Sequence, residues 1–339
     1  MPAFSSLAES RCLRFVPIFC VWTFMALASL VYAPVSLGLS LPSSGQTKEA
    51  SAPSVAIIQA ASHPALDQVH LGLVQGLAQA GFGPQQGTKI WYDNAQGNVA
   101  LGAQMAKRFA GKKPQVLVAI GTQVAQSAQH EAQRYGIPLV FASVTNPVSA
   151  GLVTQLSQPG GWVTGTRNVP KIQDLLALLH QLLPAVRTLG VVVNPAEQNT
   201  LDMLSLVQDG ATAYGWTVHT STANSSTEVA TALQALVTKV DALLLLQDNT
   251  VASALPAFMK VASEQHKPVL ATYTEALAYG ALAAVAANEY RIGLQTAQLV
   301  VSILQGQAPG SLDVTDPAVY DTVINPVVAA QHGIRSETP

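Results

Sequence analysis

The chain has 339 residues, 49% hydrophobic and only 11% charged, with 17 Lys plus Arg against 19 Asp plus Glu and a formal net charge of −2. A near-neutral balance argues against a nucleic-acid binder, which needs a basic patch to match phosphate. The high apolar content with ordinary Gly and Pro excludes collagen-like, coiled-coil and disordered chains, and the length fits two domains of ~150 residues each.

The first fifty residues differ from the rest. Arg11 and Arg14 precede an apolar run from Phe15 to about Ala33, and a Ser/Gly/Pro-rich stretch follows to Pro53. A basic region, an apolar run and small residues in that order describe a secretory signal peptide, so residues 1–50 are expected to direct export to the periplasm or the extracytoplasmic face of the membrane. An uncleaved N-terminal anchor is the alternative, because the run approaches the length of a membrane span. Cys12 and Cys20, the two cysteines of the chain, both lie in this segment. The mature chain is therefore expected to hold no disulfide, no thiolate-bound metal and no cysteine nucleophile.

From Ser54 onward, strand-like and helix-like patterns alternate. Strands are predicted at 55–59, 89–93, 115–120, 138–144, 188–194, 217–221, 242–247, 268–273 and 281–287. Several are unbroken apolar runs, as expected of parallel strands buried on both faces. A helix is predicted from Pro64 to Ala80, with Leu66, Val69, Leu73 and Leu77 on one face and Gly81 as its C-cap. Others are predicted from the capping-box pattern Ser225–Glu228 towards Val237 and from about Tyr290 to Leu304, ended by Gly306. Such alternation predicts an α/β fold with parallel sheets.

A repeat at a spacing of about 127 residues divides this pattern in two. VLVAIGTQVAQSA (116–128) matches LLLLQDNTVASA (243–254), GTKIWYDNA (87–95) matches GWTVHTSTA (215–223), and VAIIQAAS (55–62) matches LGVVVNPA (189–196). Two similar α/β lobes are the simplest account. Their strands end repeatedly in uncharged polar residues: Ser62-His63, Asn94, Gly121-Thr122-Gln123 and Thr145-Asn146 in one half, and Asn194 to Asn199, Gln247 to Thr250 and Thr272 to Thr274 in the other. In open α/β sheets the ligand crevice lies beyond the carboxyl ends of the strands, where helix N-termini offer unpaired N–H groups. A crevice with Asp248 as its one notable acid and no Lys or Arg suits a neutral or zwitterionic molecule. Asp248 would face an ammonium while N–H and hydroxyl groups hold a carboxylate; the plainer alternative is that Asp248 only caps a helix.

The chain lacks G-x-x-x-x-G-K-[ST], H-E-x-x-H and G-x-S-x-G, and its histidines are scattered. No catalytic residue, metal ligand or cofactor site is predicted.

Taken in order, IIQAASHPALDQVHLGLVQGLAQAGF, YDNAQGN, AIGTQVAQ, SVTNPVSAGLV, PGGWVTGT, VVVNPAEQNT and LLQDNTVASAL resemble the ABC-transporter substrate-binding proteins of the tryptophan/tyrosine-type family. The resemblance implies two Rossmann-like lobes with parallel sheets, joined by a multi-strand hinge as in type I periplasmic binding proteins. By that resemblance, residues 54–167 plus about 273–310 form one lobe, and 168–272 plus about 311–333 the other. The implied function is that of a monomeric receptor, without enzymatic chemistry, that closes on a small amino-acid-like ligand and delivers it to a membrane permease. Matched by motif, the ligand-binding candidates are Ser62, His63, Gly121, Thr122, Gln123, Thr145, Asn199, Gln247, Asp248, Asn249, Thr250 and Tyr273, the last as an aromatic wall. Trp162 stands in GGWVTG where the family usually has Asn, either as an added wall or as a surface turn residue. Competing readings are a sensor held by an uncleaved anchor and an α/β enzyme acting in the crevice.

Overall fold

The structure, a computed structural model, describes residues 52–334; the expectations for the export segment and both cysteines lie outside the described residues. In the first lobe the order is β1 (Ser54–Gln59), α1 (Pro64–Gln79), β2 (Lys89–Asn94), α2 (Val99–Gly111), β3 (Val116–Ile120), α3 (Thr122–Tyr135), β4 (Leu139–Val144) and β5 (Val163–Arg167). The second lobe follows with α4 (Ile172–Leu182), β6 (Thr188–Val193), α5 (Gln198–Ala213), β7 (Thr217–Thr222), α6 (Val229–Val237), β8 (Ala242–Leu245), α7 (Asn249–Ser253), α8 (Leu255–Glu264), β9 (Val269–Ala271) and β10 (Ala283–Ala287). The chain then returns to the first lobe with α9 (Glu289–Leu304) and ends in the second with β11 (Tyr320–Ile324) and α10 (Pro326–Gln331).

The first sheet is parallel throughout, in the order β2-β1-β3-β4-β5. The second runs β11-β10-β9-β8-β6-β7, parallel except for β11 against β10. Counted within each lobe, both sheets begin 2-1-3-4-5. The repeated segments of the sequence occupy equivalent places, as β1 and β6, β2 and β7, β3 and β8. Central strands such as β3 and β8 are buried along their whole length, as their continuous apolar runs require, whereas no residue of the edge strands β2 and β7 is fully buried.

All nine predicted strands are present. Two more, β5 and β11, were not predicted. The return to the first lobe, expected near 273, comes instead at Asn288, because Thr274–Tyr279 forms a short 3-10 turn closed by Gly280 at φ 100°. That turn brings β10 up parallel beside β9, within the second sheet. Three segments therefore pass between the lobes: 168–171 after β5, Asn288 after β10, and the stretch before β11. The last of these first runs along β5, where Thr315 and Arg167 share backbone hydrogen bonds with that edge.

The predicted apolar face of α1 is buried as expected, with Val69, Leu73 and Leu77 fully covered. Its partner is α9, and the two helices meet backbone to backbone through glycines. A Cβ on Gly72 would lie 2.1 Å from the Tyr290 carbonyl oxygen, and one on Gly293 would lie 2.2 Å from that of Val69. Among the described residues no helix is long and apolar enough to cross a membrane. Substituting Gly293→Ala is expected to force α1 and α9 apart and lower stability by about 1–3 kcal/mol, the range for an overpacked core. Urea unfolding reads this, with Gly111→Ala as the control, since a Cβ at Gly111 meets nothing within 4 Å.

Candidate functional site

The carboxyl ends of both sheets face a shared, narrow cavity. The first lobe brings His63, Ala65 and Leu66 at the start of α1, Gly121 and Thr122 at the start of α3, and Ser143 and Thr145 at the end of β4. The second lobe brings Asn199, Gln247 and Asn249, and Glu289 stands at the first position of α9, next to the returning hinge segment. Of the twelve residues predicted from sequence, seven line this cavity: His63, Gly121, Thr122, Thr145, Asn199, Gln247 and Asn249.

On the first lobe, the helix starts are left open toward the cavity. Neither α1 nor α3 has a side-chain cap. Gly121, at φ 100°, turns the chain sharply from β3 into α3, and the first helical hydrogen bond is donated by Ala125 to the Gly121 carbonyl. The N–H groups of the preceding first turn of α3 thus present the positive end of the helix to a ligand.

The second lobe closes its edge differently. Glu197, 1% exposed, accepts hydrogen bonds from the backbone N–H of Asn249 (2.9 Å) and of Thr250 (3.0 Å). It also accepts from Asn249 Nδ2 (2.7 Å), Thr250 Oγ1 (2.9 Å) and Asn199 Nδ2 (3.4 Å). Asp248 is fully buried and accepts from the backbone N–H of Asn194 (2.6 Å) and Val251 (3.0 Å) and from Thr200 Oγ1 (3.1 Å). Burial, then the neighbouring Glu197, push its carboxyl up to about 7 against the pull of these donors.

These contacts correct the sequence reading. Asp248 is an N-cap inside the second lobe and does not reach the cavity. Thr250 is turned to Glu197 and receives a hydrogen bond from Asn194 Nδ2 (2.8 Å), so it too lies outside the lining. Ser62 is exposed and directs its hydroxyl to Asp67 (3.4 Å). Gln123 sits one residue beyond the lining of α3. Tyr273 is fully buried in a hydrophobic cluster formed mainly by the second lobe, which also holds Ala276 and Phe258, rather than forming a wall. Trp162, 48% exposed, belongs to a separate surface groove with Pro138 and Pro309, so the surface-turn alternative holds.

The acid of the cavity is Glu289. It is 3% exposed, and its Oε1 accepts from Gln247 Nε2 (2.5 Å) and Asn168 Nδ2 (2.7 Å), while Ser143 Oγ donates to its Oε2 (3.4 Å). Burial, then the nearby Glu275, raise its carboxyl well above the usual range, although the Asn168 and Ser143 hydrogen bonds work in the other direction. Ser143 reaches this position because β4 shifts register between Phe141 and Val144, with Ser143 itself at φ 57°. The same strand-end rule that picked out Asp248, applied to the strand at 281–287, would have pointed to Asn288-Glu289. Ser143 carried no such signal, being hidden inside an unbroken strand pattern.

Among the described residues, hydrogen bonds join the lobes across the cleft from Gln247 to Glu289, from His63 Nε2 to Asn249 Oδ1 (3.1 Å) and, at the rim, from Ser149 Oγ to Asp202 Oδ2 (2.6 Å).

Residues 54–338 match the family model described as ABC transporter substrate binding protein. A protein from Clostridioides difficile (strain R20291), named a tyrosine-binding protein, is 31% identical over 272 residues, covering 80% of this chain and 78% of its own length. Among solved structures, the ABC domain in complex with L-Trp from Streptococcus pneumoniae is 30% identical, with a TM-score of 0.80 over 84% of this chain and 96% of that one. The ligand-free, open structure of a substrate-binding protein with adhesive properties from Clostridium difficile is 31% identical over the same shares, with a TM-score of 0.64. Two parallel α/β lobes, three crossings between them and a cavity at their facing strand ends accord with that match, and the chain belongs to the ABC transporter substrate-binding protein family.

Proposed function

We propose that this protein is the receptor of an ABC importer, working outside the cytoplasm, that captures an aromatic amino acid such as tyrosine or tryptophan and hands it unaltered to a membrane permease. The observation that carries this reading is the dipolar character of the cavity. Its first-lobe side offers the uncapped N-terminus of α3 with the Thr122 and Thr145 side chains beside it, a seat for a carboxylate. Its hinge side offers the buried carboxylate of Glu289, a seat for an ammonium. No Lys or Arg is among the lining residues, so a multiply charged anion has no matching partner there. Ala65 and Leu66 supply an apolar wall for a side chain.

Closure follows from where these groups stand. Gln247 belongs to the second lobe and donates to Glu289 at the start of a first-lobe helix, so an ammonium docked on Glu289 touches the junction of both. Such a ligand favours the closed arrangement by its differential contacts. The two structural neighbours support this: at nearly equal identity and coverage, the chain superposes better on the L-Trp complex than on the open, ligand-free protein.

Saturating L-Tyr or L-Trp is expected to raise the melting temperature of the purified protein, and mass spectrometry of the released ligand is expected to recover it intact. No shift with any amino acid at millimolar concentration would overturn the ligand class, and a converted ligand would overturn the receptor role.

A second prediction concerns protons. Glu289 holds a raised pKa in the ligand-free cavity, and an adjacent ammonium lowers it, so binding releases a proton near and below that raised pKa, and affinity weakens as pH falls through it. Calorimetry in buffers of different ionisation enthalpy measures the release directly. Glu289→Gln is expected to abolish it and to weaken binding by roughly 10-fold or more.

A further inference from the structure

The polarity of the cavity's hydrogen-bonding groups is fixed from inside the second lobe. Both oxygens of Glu197 accept backbone N–H groups, which can only donate, so Glu197 is an acceptor at every contact. Its Oε2 therefore faces the Nδ2 amide ends of Asn249 and Asn199. Asn199 Nδ2 is held a second time by the Gln247 carbonyl (2.8 Å), which leaves Asn199 Oδ1 buried with no partner. Asn249 is likewise held with its Oδ1 toward His63, so the hydrogen on that contact belongs to His63 Nε2. Burial, the largest influence on His63, keeps the ring neutral. With Nε2 protonated in a neutral ring, Nδ1 is a bare acceptor, and it is buried without a partner.

Two residues of the cavity lining thus carry a buried, unpartnered acceptor, and they belong to different neighbourhoods. Asn199 is tied through Gln247 to Glu289, where the ammonium is placed. His63 lines the cavity from the start of α1, two and three positions before the apolar Ala65 and Leu66 that line it too. We infer that His63 is a specificity-determining residue that accepts a hydrogen bond from a donor on the ligand's aromatic side chain, an indole N–H or a phenol O–H, and so selects such ligands over phenylalanine. The inference rests on the amino-acid reading above. A side chain without a donor would leave Nδ1 buried and unpaired, and sites built around a hydrogen bond reject analogues that lack it.

Calorimetric titration of the purified protein with L-Tyr, L-Trp, L-Phe and the tryptophan isostere benzothienylalanine, which carries sulfur in place of the indole N–H, tests this. L-Phe is expected to bind roughly 10-fold or more weakly than L-Tyr, and benzothienylalanine weaker than L-Trp by a similar factor. In His63→Phe, which keeps an aromatic ring but removes the acceptor, affinity for all four falls with the loss of the Asn249 contact, and the Tyr-to-Phe ratio is expected to shrink to within about 3-fold. If the wild-type protein binds L-Phe as tightly as L-Tyr and benzothienylalanine as tightly as L-Trp, or if His63→Phe keeps the wild-type ratio, the role of His63 is overturned while the amino-acid reading stands. The two ligand pairs decide the matter in the wild-type protein alone if the variant does not fold. Failure of all four to bind overturns the amino-acid reading itself, and the inference with it.

Discussion

The carboxylate of Glu197 is the contact on which the second lobe's half of the cleft depends. A five-residue helix such as α7 gains too few internal hydrogen bonds to hold itself, and its first turn leaves N–H groups with no helical partner. Glu197 gathers two of those N–H groups and three side-chain donors into one buried acceptor, and Asp248 takes the next N–H in the turn. Two acids are thus spent inward, on backbone. What remains to face the cavity is neutral, Gln247 with Asn199 and Asn249, and the amide orientation of both asparagines is already settled. The first lobe has no counterpart: Gly121 leaves the start of α3 open. The cleft is therefore asymmetric in charge although its two lobes share a strand order.

This asymmetry also explains which parts of the site were legible in the sequence. Strand ends identify where a cleft runs, and His63, Gly121, Thr122, Thr145, Asn199, Gln247 and Asn249 were found by that rule. The rule cannot tell whether a polar side chain at a helix start points outward or folds back on its own backbone. Asp248 does the latter, accepting the Val251 N–H of α7, and the Thr250 hydroxyl turns inward to Glu197 and Asn194. Tyr273 follows a strand end by position, yet its ring is covered by second-lobe residues brought beside it by the Thr274–Tyr279 turn. Glu289 was missed because the strand-end rule was not carried on to the strand at 281–287, although its position directly after β10 places it at a crossing between lobes.

The fold itself was read more completely, because buried parallel strands are written as continuous apolar runs and the lobe repeat doubles the signal. The two missed strands lack such runs. The β5 sequence VTGTR is short and polar, and its Gly165 passes so close beneath β4 that a Cβ would lie 2.2 Å from the Phe141 carbonyl oxygen. The β11 sequence YDTVI is an antiparallel edge with much of its surface open. Both flank the crossings, where the chain needs to bend between lobes more than it needs to bury side chains. Arg167 with Asp316 (3.0 Å), Asn288 with Asp321 (2.9 Å) and Tyr320 with the Val169 carbonyl (3.0 Å) hold these segments together by polar contacts instead.

The pairing of α1 with α9 carries a consequence for how the molecule is made. The two helices touch at Gly72 and Gly293, more than two hundred positions apart in the chain, with the whole alternating part of the second lobe between them. A chain emerging from its N-terminus therefore shows α1 with its glycine-lined flank bare until Leu304 has been synthesised. During that interval the first sheet lacks the cover of α9, whereas β6 to β10 of the second lobe are contiguous in the chain and lack only their edge strand β11. Both lobes are thus closed by segments from far along the chain: the first by α9, the second by β11 and α10.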